Sequence, residues 1–592
     1  MKRIDQFTPV LSQELLMKHN FFELYPVDGG GTFIQREILG SVDDAAITEA
    51  VLNGALADFG PLDAIDFLKY ERWSTIEKSC WINRMYFIVP LAHQYALHGD
   101  EKLAQLLRQI LLRFKRTYLP PPSCEAACEL QRDVLYKRDH DYNAKGSSYD
   151  ADIPYQWFDF QPASRIIHTL HALWFMRHSP SFQPQDWEEL DEMLFQHGQQ
   201  INWVEKYGTT PARGNHQALR ALALLYAADY FKGTPEAAEW RETALSLCEY
   251  HILNDFLPDG MLIDLSPSYH FFECWIARDM KALSMRAHSV HTQDGPTSSV
   301  PQATCSVPQA SACGKGGLSQ EALQRVQKAF DVCGYLCQPD GLSPVISDGY
   351  PLDMEIFLST IQDSERQQSF AVSLDASQIA VKRDGGQYFL LDASPLLDAL
   401  SHYHAGKLAV TYFHDGKPFL VDSGCCSYDD DAFAEWFKQA QAHSTLLIDG
   451  QGDSLLEGRY HWLAAPKNEL SQWNGNELTA VMHGGVPAWQ GVTWRRTATV
   501  EKAGLTLLDT VACDREVTME FIFNLHPDVK AELQTANNVL LTNGAATLQA
   551  VFSAPVELLD GTGYLNYQKV PCKRLRVSFK GKGGQLQSRI RN

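Results

Sequence analysis

The spacing of apolar residues changes once along this chain, near residue 368, and that change constrains the fold more than any other feature. From about residue 45 to residue 360 apolar side chains recur at intervals of three and four, as in WINRMYFIVPLAHQYALHGDEKLAQLLRQILLRFKRTYL, NHQALRALALLYAADYF and PEAAEWRETALSLCEYHILNDFL. That interval places one apolar stripe along a helix. The break at His98-Gly99-Asp100 stops one helix and starts the next, so the first run predicts two antiparallel helices. Past residue 368 the period falls to two: QIAVKRDGGQYFLLDAS, TATVEKAGLTLLDTVA, TMEFIFNLHP and KRLRVSFKGKGG alternate or are rich in β-formers, and Gly, Asp and Asn turns divide them. Paired helices with short loops predict a helical toroid or α-solenoid, followed by an antiparallel β-sandwich. Residues 288–317, rich in Ser, Pro, Gly and Gln, cannot bury enough apolar surface to order themselves and are expected to form a flexible surface insertion.

Composition narrows the function. A chain of 592 residues suggests two or three domains, each able to bury a core. A net charge of -21 argues against nucleic acid, whose binders present basic surfaces, and requires any acidic glycan to meet a local patch of Arg, Lys and His. No run approaches 18 apolar residues, which argues against a membrane-spanning helix. The opening MKRIDQFTPVLSQELLMKHN lacks an unbroken apolar core and a small-residue cleavage site, so a cytoplasmic location is expected, or a periplasmic or secreted one if a leader has been trimmed. Thirteen irregularly spaced cysteines fit reduced thiols better than a disulfide framework. Oligomeric state is not legible.

The densest chemistry lies between residues 402 and 449. Lys407 to Asp422 predicts a hairpin, with Asp415-Gly416 at the turn, which returns Asp422 toward His404. His443 lies 21 residues further on, just before TLLIDG, a run expected to pair into the same sheet. His404, Asp422 and His443 then offer two imidazoles and a carboxylate, a donor set suited to a divalent ion, zinc before calcium, with manganese a further choice. The same residues also suit plain polar positions at strand ends. In the helical half, Asn215-His216 follows Gly214 and Tyr269-His270 follows Ser266-Pro267-Ser268, both at expected helix starts, where capping alone accounts for them. Arg213 and Arg165 are candidates to grip carboxylates or sulfates, or to form internal ion pairs.

Taken together, GNHQALRALALLYAA, DLSPSYH, HYHAGKLAVTYFHDGKPFLVDSG and AHSTLLIDGQGD resemble, in order, the heparinase II/III-like polysaccharide lyases, which include alginate lyases. The resemblance implies an α+β multidomain chain with an N-terminal incomplete (α/α) toroid over 1–367 and a C-terminal antiparallel β-sandwich over 368–592. It implies cleavage of uronic-acid glycans, glycosaminoglycan or alginate, by β-elimination. It also implies roles: Asn215 neutralising the uronate carboxylate, His216 and Tyr269 as base and acid, His402 assisting near the carboxylate, and His404, Asp422 and His443 holding the metal. His270, next to Tyr269, is a further candidate to touch substrate, or a plain surface histidine. Two other classes stay open. A glycoside hydrolase on a toroid scaffold needs two flanking carboxylates, for which Asp159, Asp264 and Glu273 are available. A non-catalytic carbohydrate-binding protein of the same fold is the third.

Overall fold

Caps and breaks shape the helical half. The computed structural model describes residues 2–18, 43–68, 81–141, 155–286, 317–349, 351–361, 369–397, 402–425, 436–457, 461–565 and 568–592. Helix Ile88–His98 ends at Gly99, whose left-handed φ of 67° terminates it, and Asp100 caps Glu101–Thr117 by accepting from the Lys102 amide at 3.0 Å. Gln161–Met176 and Asn215–Tyr230 are buried along nearly their whole length, whereas Glu101–Thr117 buries a single stripe. Helices buried all round, polar side chains included, thus pack with amphipathic ones. The expected insertion at 288–317 lies outside the described residues except for Gly317. No helix among the described residues is long and apolar enough to cross a membrane.

The chain divides into two compact units, Met1–Asp255 with Glu273–Val326 and Phe256–Phe272 with Gln327–Asn592. The second unit therefore takes in segments that lie before residue 367, among them the one carrying Tyr269.

Within this second unit a five-stranded antiparallel meander runs through Ser369–Leu374, Ile379–Asp384, Gln387–Asp392, Ala409–His414 and Lys417–Leu420. A ten-stranded sheet is built on the long strands Gly504–Asn524 and Gln568–Arg591. Phe389, Val410, Tyr412 and Phe419 of the first share one core with Trp494, Leu507, Phe521 and Val577 of the second, which makes the unit a β-sandwich. A buried ion pair fastens it: Arg496 Nε donates to Asp509 at 2.7 Å, and Arg496 NH1 donates to the Leu408 carbonyl at 2.7 Å, directly after the histidine-rich loop.

The hairpin forms as expected, with Asp415 (φ 49°) and Gly416 (φ 74°) both left-handed, as a tight two-residue turn requires. The run after His443 behaves differently. Leu446–Ile448 pairs with Met519–Phe521 of the larger sheet, not with the hairpin. The reason lies at the end of strand Gly504–Asn524. Val421 N donates to the Asn524 carbonyl at 3.2 Å, and Asn524 N donates to Ser444 Oγ at 2.8 Å. One residue, Asn524, therefore gathers the segments that carry Asp422 and His443.

Candidate active site

The loop from His402 to Lys407 is held by a carboxylate beneath it. Asp453, fully buried, accepts from the amides of Gly406 and Lys407, both at 2.8 Å, and Lys407 Nζ reaches Asp392 at 2.9 Å. Hydrogen bonds to a charged group contribute roughly 1.5–3 kcal/mol each, so this loop is stiff. Gly406 is required: its φ is 85°, and a Cβ there would stand 2.7 Å from His443 Cβ. Gly406→Ala is expected to cost about 2–5 kcal/mol, combining left-handed strain with overpacking, and to displace His443. Denaturant unfolding checks this, and an unchanged midpoint contradicts it.

Asp348 is the hub of the sheet unit's site, and no sequence pattern marks it. Its carboxylate lies 2.7 Å from His402 Nδ1, 2.7 Å from His404 Nε2 and 3.3 Å from Lys438 Nζ. Its carbonyl accepts from Ser266 Oγ at 3.1 Å and Ser268 Oγ at 3.2 Å, tying it to the start of helix Pro267–Ser284. Burial alone would raise the Asp348 carboxyl; the Lys438 charge and the two imidazole hydrogen bonds outweigh it and hold the group well below the usual carboxylate range. An ionised Asp348 accepts, so His402 points its Nδ1–H inward. The outer face of that imidazole stacks on Tyr269 at 3.9 Å between ring centroids and 22° between planes. Tyr269 and His402 are thus brought together as expected, with His402 a quarter exposed at its side chain.

His404, Asp422 and His443 are all buried. His443 Nε2 lies 2.8 Å from the Phe437 carbonyl, which can only accept, so Nε2 carries hydrogen there. The remaining nitrogen, Nδ1, faces both Asp422 oxygens at 3.0 Å; a proton or a metal cation must lie between two such acceptors. His404 spends Nε2 on Asp348, and its buried Nδ1 has no hydrogen-bond partner among the described residues. Each imidazole thus has one nitrogen anchored by an oxygen and one turned to another use, as metal-ligating histidines do. Burial pushes His404 down to about 4, which keeps the ring neutral and able to ligate. Burial raises Asp422 and the His443 interaction overcomes it, so that group is lowered. This donor chemistry fits a zinc-type ion. The three donor atoms are not gathered within 4.8 Å of one another, so an ion would have to draw them in.

The helical unit holds a second cluster. Asn215 and His216 open helix Asn215–Tyr230 directly after Gly214, whose φ of 125° lets the chain turn into it. His216 Nδ1 bonds Asp159 Oδ2, the other Asp159 oxygen bonds Arg220, and Arg220 also bonds Glu205. Asn215 is half-buried and Arg213 is exposed beside it.

Two candidates are placed elsewhere. Arg165 is 1% exposed, and its guanidinium donates to His197 Nε2 at 2.9 Å, the Asn83 carbonyl at 2.8 Å and the Gln156 carbonyl at 2.5 Å. It braces helices instead of gripping a ligand. His270 is fully buried: Nδ1 accepts from the Leu262 amide at 3.2 Å, and Nε2 lies 3.0 Å from the Ala329 carbonyl. Both nitrogens are spent on backbone, which corrects its assignment to substrate. Sequence reasoning missed Asp348, Lys438 and Asp453, and gave Asp159 a different role. Of these, Asp453 lay inside AHSTLLIDGQGD and Lys438 within the span 402–449, both already singled out, although neither residue was itself named.

Residues 44–304 match the family model described as heparinase II/III N-terminus, and residues 367–590 the one described as heparinase II/III-like, C-terminal. A heparin-sulfate lyase of Bacteroides thetaiotaomicron is 21% identical over 530 residues, covering 80% of this chain and 64% of that relative, so the chain spans less than two thirds of its length. A heparin-sulfate lyase of Pedobacter heparinus is 22% identical over 347 residues, 54% of this chain and 47% of the relative. Among solved structures, a mutant heparan sulfate lyase HepC of Pedobacter heparinus aligns over 95% of this chain and 91% of its own, with a TM-score of 0.59 and 16% identity. Heparinase III aligns over 86% and 76%, with a TM-score of 0.61 and 16% identity. These structures share the fold of helical N-terminal region and C-terminal antiparallel sheets.

Proposed function

Because the chain belongs to the heparinase II/III-like family, we propose that it is a polysaccharide lyase acting on uronic-acid glycans by β-elimination. Glycosaminoglycans such as heparan sulfate, hyaluronan or chondroitin are the first substrate class, as the names of its relatives suggest, and alginate is the second. The observation that carries this reading is the phenol of Tyr269 laid on the imidazole of His402, with Asp348 holding that imidazole from behind.

Elimination asks for three things. The C5 proton of a uronate is weakly acidic until its carboxylate charge is offset, because removing the proton pushes electron density onto that group. In this reading Asn215 donates a hydrogen bond to the carboxylate as that density builds, and His402, held on Asp348 through Nδ1–H, adds one from Nε2 as the imidazolium; stabilisation of this kind usually contributes more to the rate than any other effect. Tyr269 moves protons at C5 and O4 when both lie on one face of the sugar, and His216 takes the C5 proton when they lie on opposite faces; each transfer contributes about a hundredfold or more. The C5–H electron pair becomes the C4–C5 double bond, the C4–O4 bond breaks, and O4 leaves protonated. Arg213, exposed beside Asn215, suits the grip on a carboxylate or sulfate. A divalent ion on His404, Asp422 and His443 would lend positive charge and stiffness to the loop, and no proton passes through it.

The hydrolase reading loses one of its carboxylates, since both Asp159 oxygens are engaged by His216 and Arg220. The test is an absorbance assay for unsaturated uronate across heparan sulfate, hyaluronan, chondroitin and alginate. A rise with at least one of them is expected; a flat trace with all four contradicts the proposal.

A further inference from the structure

The helical unit contains a line of four charged or titratable side chains that ends on His216, and the member next to that histidine is held in an unusual backbone. Glu205, Arg220 and Asp159 are buried, while the His216 side chain is 29% exposed. Glu205 Oε2 accepts from Gln217 Nε2 at 2.6 Å and Thr209 Oγ1 at 3.0 Å; its other oxygen accepts from Arg220. Arg220 continues to one oxygen of Asp159, and the second oxygen meets His216 Nδ1. Asp159 has a left-handed φ of 56°, a conformation that costs a non-glycine residue free energy, and its amide donates to Gln131 Oε1 at 3.0 Å. Phe160, the next residue, sets its ring edge-on to the imidazole at 4.5 Å and limits its rotation.

We propose that Asp159 is the positioning residue for His216, fixing Nδ1 inward so that Nε2 is the atom presented to substrate, with Arg220 and Glu205 holding Asp159 in turn. This rests on the lyase reading for its consequence but not for its geometry. His216 sits in the first turn of its helix, where the helix dipole disfavours a cation. An imidazole that accepts a C5 proton there becomes an imidazolium beside the positive end of the helix, and Asp159 is the anion in contact with it. Nδ1–H stays on Asp159, the proton goes to Nε2, and the C5–H pair moves into the new double bond as O4 departs. A carboxylate behind a histidine does the same service in hydrolases with a Ser-His-Asp triad, where replacing it by an amide disturbs the tautomer.

The test uses the full chain and, of the glycans it cleaves, one whose C5 proton and O4 lie on opposite faces of the sugar, where His216 is the base. Asp159→Asn is expected to lower kcat by roughly a hundredfold to ten-thousandfold while KM moves by less than about threefold. In a His216→Ala background the same substitution is expected to be silent, because its effect passes through the imidazole. A loss that persists in that background assigns Asp159 to scaffolding alone and overturns the proposal. Nitrogen NMR of His216 gives a readout that needs no substrate: the wild type should carry hydrogen on Nδ1, and Asp159→Asn should mix the tautomers. An Nε2–H ring in the wild type overturns the proposal even if the variant fails to fold. If the wild type cleaves no glycan, the lyase reading fails while the tautomer still decides the role of Asp159.

Discussion

Tyr269→Phe is expected to cut kcat by about a thousandfold or more, since a general acid or base contributes roughly 10²–10⁴ and this phenol serves at both ends of the bond on one class of linkage. That corresponds to about 4 kcal/mol of transition-state stabilisation. The substitution keeps the ring, and the stack on His402 at 3.9 Å needs the aromatic face and not the hydroxyl. KM should therefore stay close to wild type. Undiminished turnover by the variant would show that proton transfer lies elsewhere, even if the family and substrate are right.

Asp348→Asn has the second large effect, and it reaches further. One carboxylate offers two acceptor oxygens to two imidazoles, His402 Nδ1 and His404 Nε2, both at 2.7 Å. An amide of the same shape offers one acceptor and one donor, so one ring must rotate or change tautomer. Lys438 also loses the carboxylate 3.3 Å away, and breaking a buried charge pair from one side costs about 3–5 kcal/mol. The variant should unfold at lower denaturant, and its kcat should fall about a hundredfold. If His404, Asp422 and His443 hold the proposed ion, zinc affinity measured by competition with a chelating dye should drop by roughly 10–100-fold in this variant, the usual effect of removing an outer partner of a metal-binding histidine. Unchanged zinc affinity together with normal kcat would show that Asp348 is not the hub.

Local features of this protein were legible, and long-range partners were not. The stop at Gly99, the cap at Asp100 and the turn at Asp415-Gly416 each depend on a few neighbouring residues, and each forms where its sequence says. The meeting of Asp422 and His443 could be anticipated from a hairpin plus a following strand, although the strand joined the other sheet. Asp348 stands 54 and 56 residues from the histidines it holds, and Asp159 57 residues from His216. Nothing in a local pattern distinguishes such an aspartate from any other next to a turn; the chain path alone brings it in. Arg165 and His270 show the converse. A buried arginine braced by carbonyls and a histidine satisfied by backbone carry the same letters as ligand-binding ones, and only burial separates them.

The proposed chemistry depends on bond cleavage by elimination, and mass spectrometry of the products from a glycan of defined length measures that directly. Elimination predicts fragments whose masses sum to that of the substrate, with the new non-reducing end absorbing as an unsaturated uronate and with the activity lost in Tyr269→Phe. Fragments that together carry one added water, with no ultraviolet band, would contradict it.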